Sequence, residues 1–161
     1  MSLPETNADL SLIDAFLEHL WLQERLAQNT LDSYRRDLHK VSQRLHAQGQ
    51  QWLSVDAPTL AEAVFADKEK SSSQARALSA SRRLLHYLIE TEQRTDDPSQ
   101  YLKPPKKGRM LPDFISEAQV EALLNAPDVT SAHGLRDKAL LEIMYATGMR
   151  VSEAVGRTLS E

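Results

Sequence analysis

Apolar side chains recur three and four residues apart along most of this chain, and they almost never alternate one by one. Leu12, Ile13, Phe16, Leu17, Leu20 and Trp21 carry that spacing over residues 10–27. Leu31, Tyr34, Leu38, Val41 and Leu45 carry it again after Asn29. A 3.6-residue repeat gathers such positions on one face of a helix, whereas a half-buried strand needs period two. The chain holds only 5 glycines and is rich in Leu, Ala, Glu, Arg and Gln, so it is predicted to be all-α.

Taken in order, residues 1–8 read as a loose tail, followed by the amphipathic helix over 10–27. Asn29 is a candidate N-cap for the second helix, with Asp32 complementing its N-terminus and Gly49 stopping it. Tyr34 reads as a core residue with its hydroxyl near the surface, while Arg35, Arg36 and Lys40 take the opposite face. Trp52 and Leu53 are expected to pin the connection over 50–57. Pro58 suits the first turn of a short helix carrying Leu60, Val64 and Phe65. Ser71, Ser72 and Ser73 offer caps for a long helix to about Thr91, whose apolar side is Ala75, Leu78, Leu85, Leu88 and Ile89. Ser72, Arg76, Ser79 and Arg83 share another side of that helix. Asp97-Pro98 breaks it. Lys103 to Pro112 has too little apolar content to pack and enough proline to stay extended. Ser116 and Gln119 form a capping box for a helix reaching Ala126-Pro127. A further helix starts near Leu135, and His133 reads as a loop residue.

Composition excludes several classes. There is no cysteine, hence no disulfide framework and no thiolate metal site. No apolar run is long enough to span a bilayer, and no signal peptide opens the chain, so no membrane role is expected and the cytoplasm is the simplest compartment. No His or carboxylate cluster has metal-ligand spacing, and no cofactor is expected. The net charge of −4 is unevenly spread. Arg35, Arg36, Lys40 and Arg44 outnumber Asp32 and Asp37 in residues 29–50. Arg76, Arg82, Arg83 and Arg94 outnumber Glu90 and Glu92 in residues 71–94. Lys103, Lys106, Lys107 and Arg109 meet no acid in residues 103–112. Basic stretches in an acidic protein are either solvated faces or the footprint of a polyanion.

The last informative stretch is Ala146-Thr147-Gly148-Met149-Arg150-Val151-Ser152-Glu153. Gly148 can take the left-handed conformation of a helix C-cap, and a new helix begins within Val151-Ser152-Glu153. Arg150 then sits in a turn beside free backbone N–H groups, a place suited to gripping a phosphate. The plainer reading is a solvated arginine after a glycine cap.

The same octapeptide resembles the first catalytic box of the tyrosine recombinase (phage integrase) family. Asn29-Thr30-Leu31 with Tyr34, Arg36, Asp37 and Leu38 resembles the family's N-terminal motif. Leu78-Ser79-Ala80-Ser81-Arg82-Arg83-Leu84 resembles its groove-facing helix. Asp97-Pro98, Ser116 to Val120 and Leu135 to Ala139 follow in the family's order. The likeness covers nearly the whole chain. It lies nearest to the recombinases that resolve chromosome dimers.

This resemblance implies a four-helix, SAM-like core-binding domain over 1–102, a basic Pro-rich linker over 103–113, and the first part of a catalytic domain over 114–161. It implies contacts to double-stranded DNA from Thr30, Tyr34, Arg35, Arg36, Ser72, Arg76, Ser79, Arg82, Arg83, Lys103, Lys106, Lys107 and Arg109. Small serines between arginines would let the long helix sit deep in a major groove. Arg150 matches the first catalytic arginine, which forks onto the reacting phosphate without metal. Glu153 matches a supporting acid; it either orients Arg150 or is simply a favourable charge at a helix start. His133-Gly134-Leu135-Arg136 spells the family's H-x-L-R box but falls before Arg150, in the wrong place. The remaining catalytic residues, including the nucleophilic tyrosine, are implied to lie after residue 161, so these residues alone are expected not to cleave DNA. Ala154 and Arg157 stand where leucines are usual. The implied partners are a sister recombinase and a septal DNA translocase. Two other readings stay open: a non-catalytic DNA-binding module, and a helical protein-interaction bundle.

Overall fold

A computed structural model describes residues 4–66, 70–105 and 114–156. Contacts divide the chain into two compact units, one ending at Gly108 and the next starting at Arg109. The first holds α1 (Pro4–Glu24), α2 (Gln28–Ala47), α3 (Ala57–Val64), α4 (Ser71–Glu90) and a 3-10 turn (Pro98–Tyr101). The second holds α5 (Glu117–Leu124), α6 (Ala132–Thr147) and α7 (Val151–Val155). No strand occurs among the described residues.

The core of the first unit is where the apolar stripes meet. Ile13, Phe16, Leu17 and Leu20 of α1 pack with Leu31, Leu38, Val41 and Leu45 of α2. Leu60, Ala63 and Val64 of α3 join Ala77, Leu78, Ala80, Leu84, Leu85 and Leu88 of α4 in the same core. Trp52 is fully buried, and its indole N–H donates to Ser42 at 2.6 Å, so its one polar atom is satisfied inside. Arg94 is the second pin. It donates to the carbonyls of Trp52 (2.8 Å) and Val55 (2.6 Å) and pairs with Asp96 at 3.0 Å, which ties the end of α4 to the α2–α3 connection.

Several sequence expectations shift. α1 starts at Pro4, inside the expected tail. Trp21 is 56% exposed, because Leu17 and Leu20 complete the buried stripe and Trp21 falls on its flank, at the edge of the α1–α2 crevice. Leu53 is exposed; Trp52 alone fills the pocket. Ala27, not Asn29, caps α2, taking Thr30 N–H at 2.8 Å on its carbonyl. Lys70 occupies the cap of α4, so the three serines lie in its first turn. Ala75 and Ile89 are only half-buried, and Ala77, Ala80 and Leu84 take the inner positions. His133 belongs to α6, because Ser131 caps that helix by accepting Gly134 N–H at 3.0 Å.

Glycine is required at two kinds of place. Gly49 ends α2 at φ +69°, with Gln50 N–H bonding back to Leu45, and Gly148 ends α6 at φ +70°, bonding back to Met144 at 2.9 Å. A Cβ on Gly134 would lie 1.9 Å from the Asp128 carbonyl oxygen, so only glycine lets that turn close on α6. In the second unit the capping box is formed, with Gln119 N–H on Ser116 Oγ at 3.3 Å and Ser116 N–H on Gln119 Oε1 at 2.7 Å.

Candidate functional site

Helices α2 and α4 pack together, and two of the basic residues of α4, Arg76 and Arg83, meet side chains of α2 there. Ser72, Arg76 and Ser79 are exposed along one side of α4, and Arg83 continues that stripe half-buried. Each arginine is held. Arg76 forks onto Asp37 of α2, Nε to Oδ2 at 2.6 Å and Nη2 to Oδ1 at 3.2 Å. The Asp37 side chain is 5% exposed and that of Arg76 46%, so a sunken carboxylate orients an outward guanidinium. A buried carboxylate needs such a partner.

Arg83 bonds to Glu24 at the end of α1 and lies over the Tyr34 ring, 5.9 Å from its centroid. Burial works against the Arg83 charge, yet the Glu24 and Tyr34 interactions outweigh it and hold its pKa above the ordinary value. Tyr34 is therefore both a core neighbour and part of this surface. Arg82, one residue back and about 100° around the helix, points elsewhere. It donates to the carbonyls of Ser99 and Leu102 and closes the 3-10 turn onto α4.

On α2, Arg35 pairs with Asp14 of α1 at 2.7 Å, away from the α4 stripe. Arg36 is exposed, and among the described residues it bonds within its own helix, to the Asp32 carbonyl and Ser33 Oγ, each at 3.2 Å. Thr30 is half-buried in the first turn. Lys103 is exposed beyond the 3-10 turn. Lys106, Lys107 and Arg109 lie outside the described residues. So Tyr34, Arg76 and Arg83 come together, Arg36 stands on α2 beyond them, and Arg35 and Arg82 diverge.

In the second unit Arg150 sits at the N-cap of α7 with its side chain 82% exposed. Glu153 accepts the Arg150 backbone N–H at 2.8 Å and lies 3.3 Å from its guanidinium. Glu153 thus closes the helix start and touches the Arg150 side chain. Among the described residues no group of His, Cys, Asp or Glu is arranged for a metal.

The acids that hold these arginines carry little signal in the sequence. Asp37 enters the sequence reading as a charge offset and as a letter of the family motif, not as the partner of Arg76, although it lies four residues before Val41 and beside Leu38 on the buried stripe. Asp14 and Glu24 carried no local signal of their arginine partners. Arg94 was grouped with the surface charges, and only 8% of it is exposed.

Comparison with known proteins bears on this arrangement. Residues 13–92 match the family model described as phage integrase, N-terminal SAM-like domain. Residues 113–161 match the phage integrase family model. The chain is 56% identical over 145 residues to the tyrosine recombinase XerD of Neisseria meningitidis serogroup B, covering 90% of this chain and 50% of that protein. It is 47% identical over 157 residues to tyrosine recombinase XerD of Yersinia pestis, covering 95% and 52%. For the same recombinase of Pasteurella multocida the figures are 44% over 156 residues, covering 94% and 52%. The chain spans about half the length of the curated relatives it matches.

Proposed function

Because the chain belongs to the phage integrase family of tyrosine recombinases, we propose that its first unit grips duplex DNA through the α2–α4 face. The observation that carries this is the α4 stripe. Two serines alternate with two arginines, and each arginine is oriented by a carboxylate or a ring on a neighbouring helix. Pre-set guanidiniums lose less freedom on meeting phosphates. Ser72 and Ser79 keep the stripe low enough for a groove. Lys103, with Lys106, Lys107 and Arg109, is proposed as a basic strap from a domain over 1–102 to one over 114–161.

Within the second unit, Arg150 is proposed as the first catalytic arginine, forking onto the scissile phosphate as negative charge builds, and Glu153 as its positioning residue. No tyrosine within residues 1–161 is proposed as the nucleophile. Tyr34 lies under Arg83, Tyr87 packs on Phe16 and His19, Tyr101 is in the 3-10 turn, and Tyr145 is on α6. These residues alone are therefore proposed to bind DNA without cutting it; a covalent protein–DNA adduct formed by them would refute that. For the whole protein the proposal is site-specific recombination of the XerD kind, serving chromosome dimer resolution and segregation at cell division. It would act in the cytoplasm, beside an XerC-like sister recombinase and an FtsK-like septal translocase.

One observation favours the interaction bundle instead: Arg35, Arg76, Arg82 and Arg83 all serve contacts within the fold. A mobility-shift titration separates the two. Tighter retention of a recombination half-site duplex than of a scrambled duplex supports the recombinase reading. No retention of either duplex at low salt, by folded protein, supports the bundle.

A further inference from the structure

We infer that Glu24 is a built-in competitor for the DNA phosphate at Arg83, so that this one carboxylate sets how tightly the first unit holds the backbone. The inference rests on the DNA-binding reading above and goes further, because it assigns a negative role to a residue outside the basic helices.

Glu24 is the last residue of α1. An acid there opposes the negative end of the helix dipole, and no basic residue in that last turn offsets it. The chain leaves the helix at once, through Arg25 at φ +49°. A residue that breaks a local rule and is held by a long-range partner marks a site with another purpose. The partner is Arg83, 59 positions later, on the exposed stripe of α4. Tyr34 supports the guanidinium from α2. Both members of the pair reach solvent, with Arg83 30% and Glu24 45% exposed. An approaching phosphate therefore meets Arg83 and Glu24 together.

The phosphate must share the guanidinium with the carboxylate or displace it. Two like charges about 6 Å apart in a watery interface oppose binding by about threefold, and by more as water is excluded. Arg36, whose bonds among the described residues stay within its own helix, carries no such discount.

The test uses the full chain and a half-site duplex across a salt series. Glu24→Gln keeps the size and one acceptor oxygen but removes the charge. It is expected to bind about three- to tenfold tighter at low salt and to steepen the slope of log K against log salt by about 0.9, one further phosphate neutralised. In an Arg83→Ala background the same change is expected to give no gain, since the competitor has nothing left to compete for. Glu62→Gln, at an exposed position of α3, alters net charge equally and is expected to leave affinity within twofold. Circular dichroism melts confirm that each variant is folded. Unchanged affinity of Glu24→Gln, an equal gain from Glu62→Gln, or a gain that survives in Arg83→Ala would each overturn the inference while the DNA reading stands. Failure of the parent chain to hold any duplex at low salt would overturn that reading, and the inference with it.

Discussion

Helices α1–α4 and helices α5–α7 carry equally clear local signals, yet only the first set closes around an interior. Every large buried apolar side chain among the described residues belongs to the first unit. In the second, Gly134 is the one buried residue described. Leu140, Leu141 and Met144 of α6 face Val151 and Val155 of α7 across an open apolar groove. The second unit is specified by its ends instead: Ser116 with Gln119, Ser131, Gly148 and Glu153. Caps determine where helices begin and stop, a local matter worth about 1 kcal/mol each. Burial needs several stripes brought face to face, and it supplies most of the stability of a domain.

The largest test of this contrast is a pair of truncations followed by urea denaturation. Trp52→Ala is expected to cost about 3–5 kcal/mol, since it empties a sealed site and strands the Ser42 hydroxyl. Leu140→Ala is expected to cost under about 1 kcal/mol, because its surroundings are already open to water. Equal costs would break the comparison. Next comes Arg94→Met, expected to cost about 2–3 kcal/mol by leaving the Trp52 and Val55 carbonyls without donors. A near-neutral result would show that water replaces the guanidinium and that the first unit is less sealed than its packing implies.

Gly148→Ala sharpens the other side. The left-handed backbone there costs an L-residue about 1 kcal/mol. The expected effect is faster amide exchange at position 148 and at Met149, with exchange in α2 unchanged.

The smallest effect concerns Asp9, buried in α1 and 2.8 Å from His46 Nε2. Burial pushes its carboxyl above the ordinary range, more than His46 pulls it down. The folded state thus favours the protonated form. Its stabilising share is complete below the ordinary value of 3.8 and is lost as pH rises through the higher folded value. Asp9→Asn should remove that dependence. Relative to this variant, the parent should lose stability as melts are taken from pH 3.5 upward; a gain would reverse the sign.

The helices were legible because their signals are short-range. The capping box at Ser116 and the glycine ends at Gly49 and Gly148 lie within a few residues of what they control. The expected break at Asp97-Pro98 does not end α4, which stops at Glu90 with Glu92 at φ +57° and Gln93 N–H on the Leu88 carbonyl; Asp97 caps the 3-10 turn instead. The arginine stripe of α4 could be seen as a stripe. Its restraints could not, because Asp37 lies 39 positions from Arg76 and Glu24 lies 59 from Arg83. The same limit hid Arg94, whose acceptors are 42 and 39 positions away. Trp21 and Trp52 look alike in sequence, and only the packing of α2 and α3 decides which is inside.

The most direct measurement of the central claim is half-site duplex affinity across a salt series, for the parent and for Arg36→Ala/Arg83→Ala. Arg76→Ala is the poorer probe, because it strands the buried Asp37 carboxylate. The account predicts that log K falls linearly with log salt for the parent. For the double variant the slope should be shallower by about 0.9 per phosphate lost, or about 1.8 in all. A flat response from folded parent protein, or a steep one that the double variant leaves unchanged, would contradict the placement of DNA on the α2–α4 face.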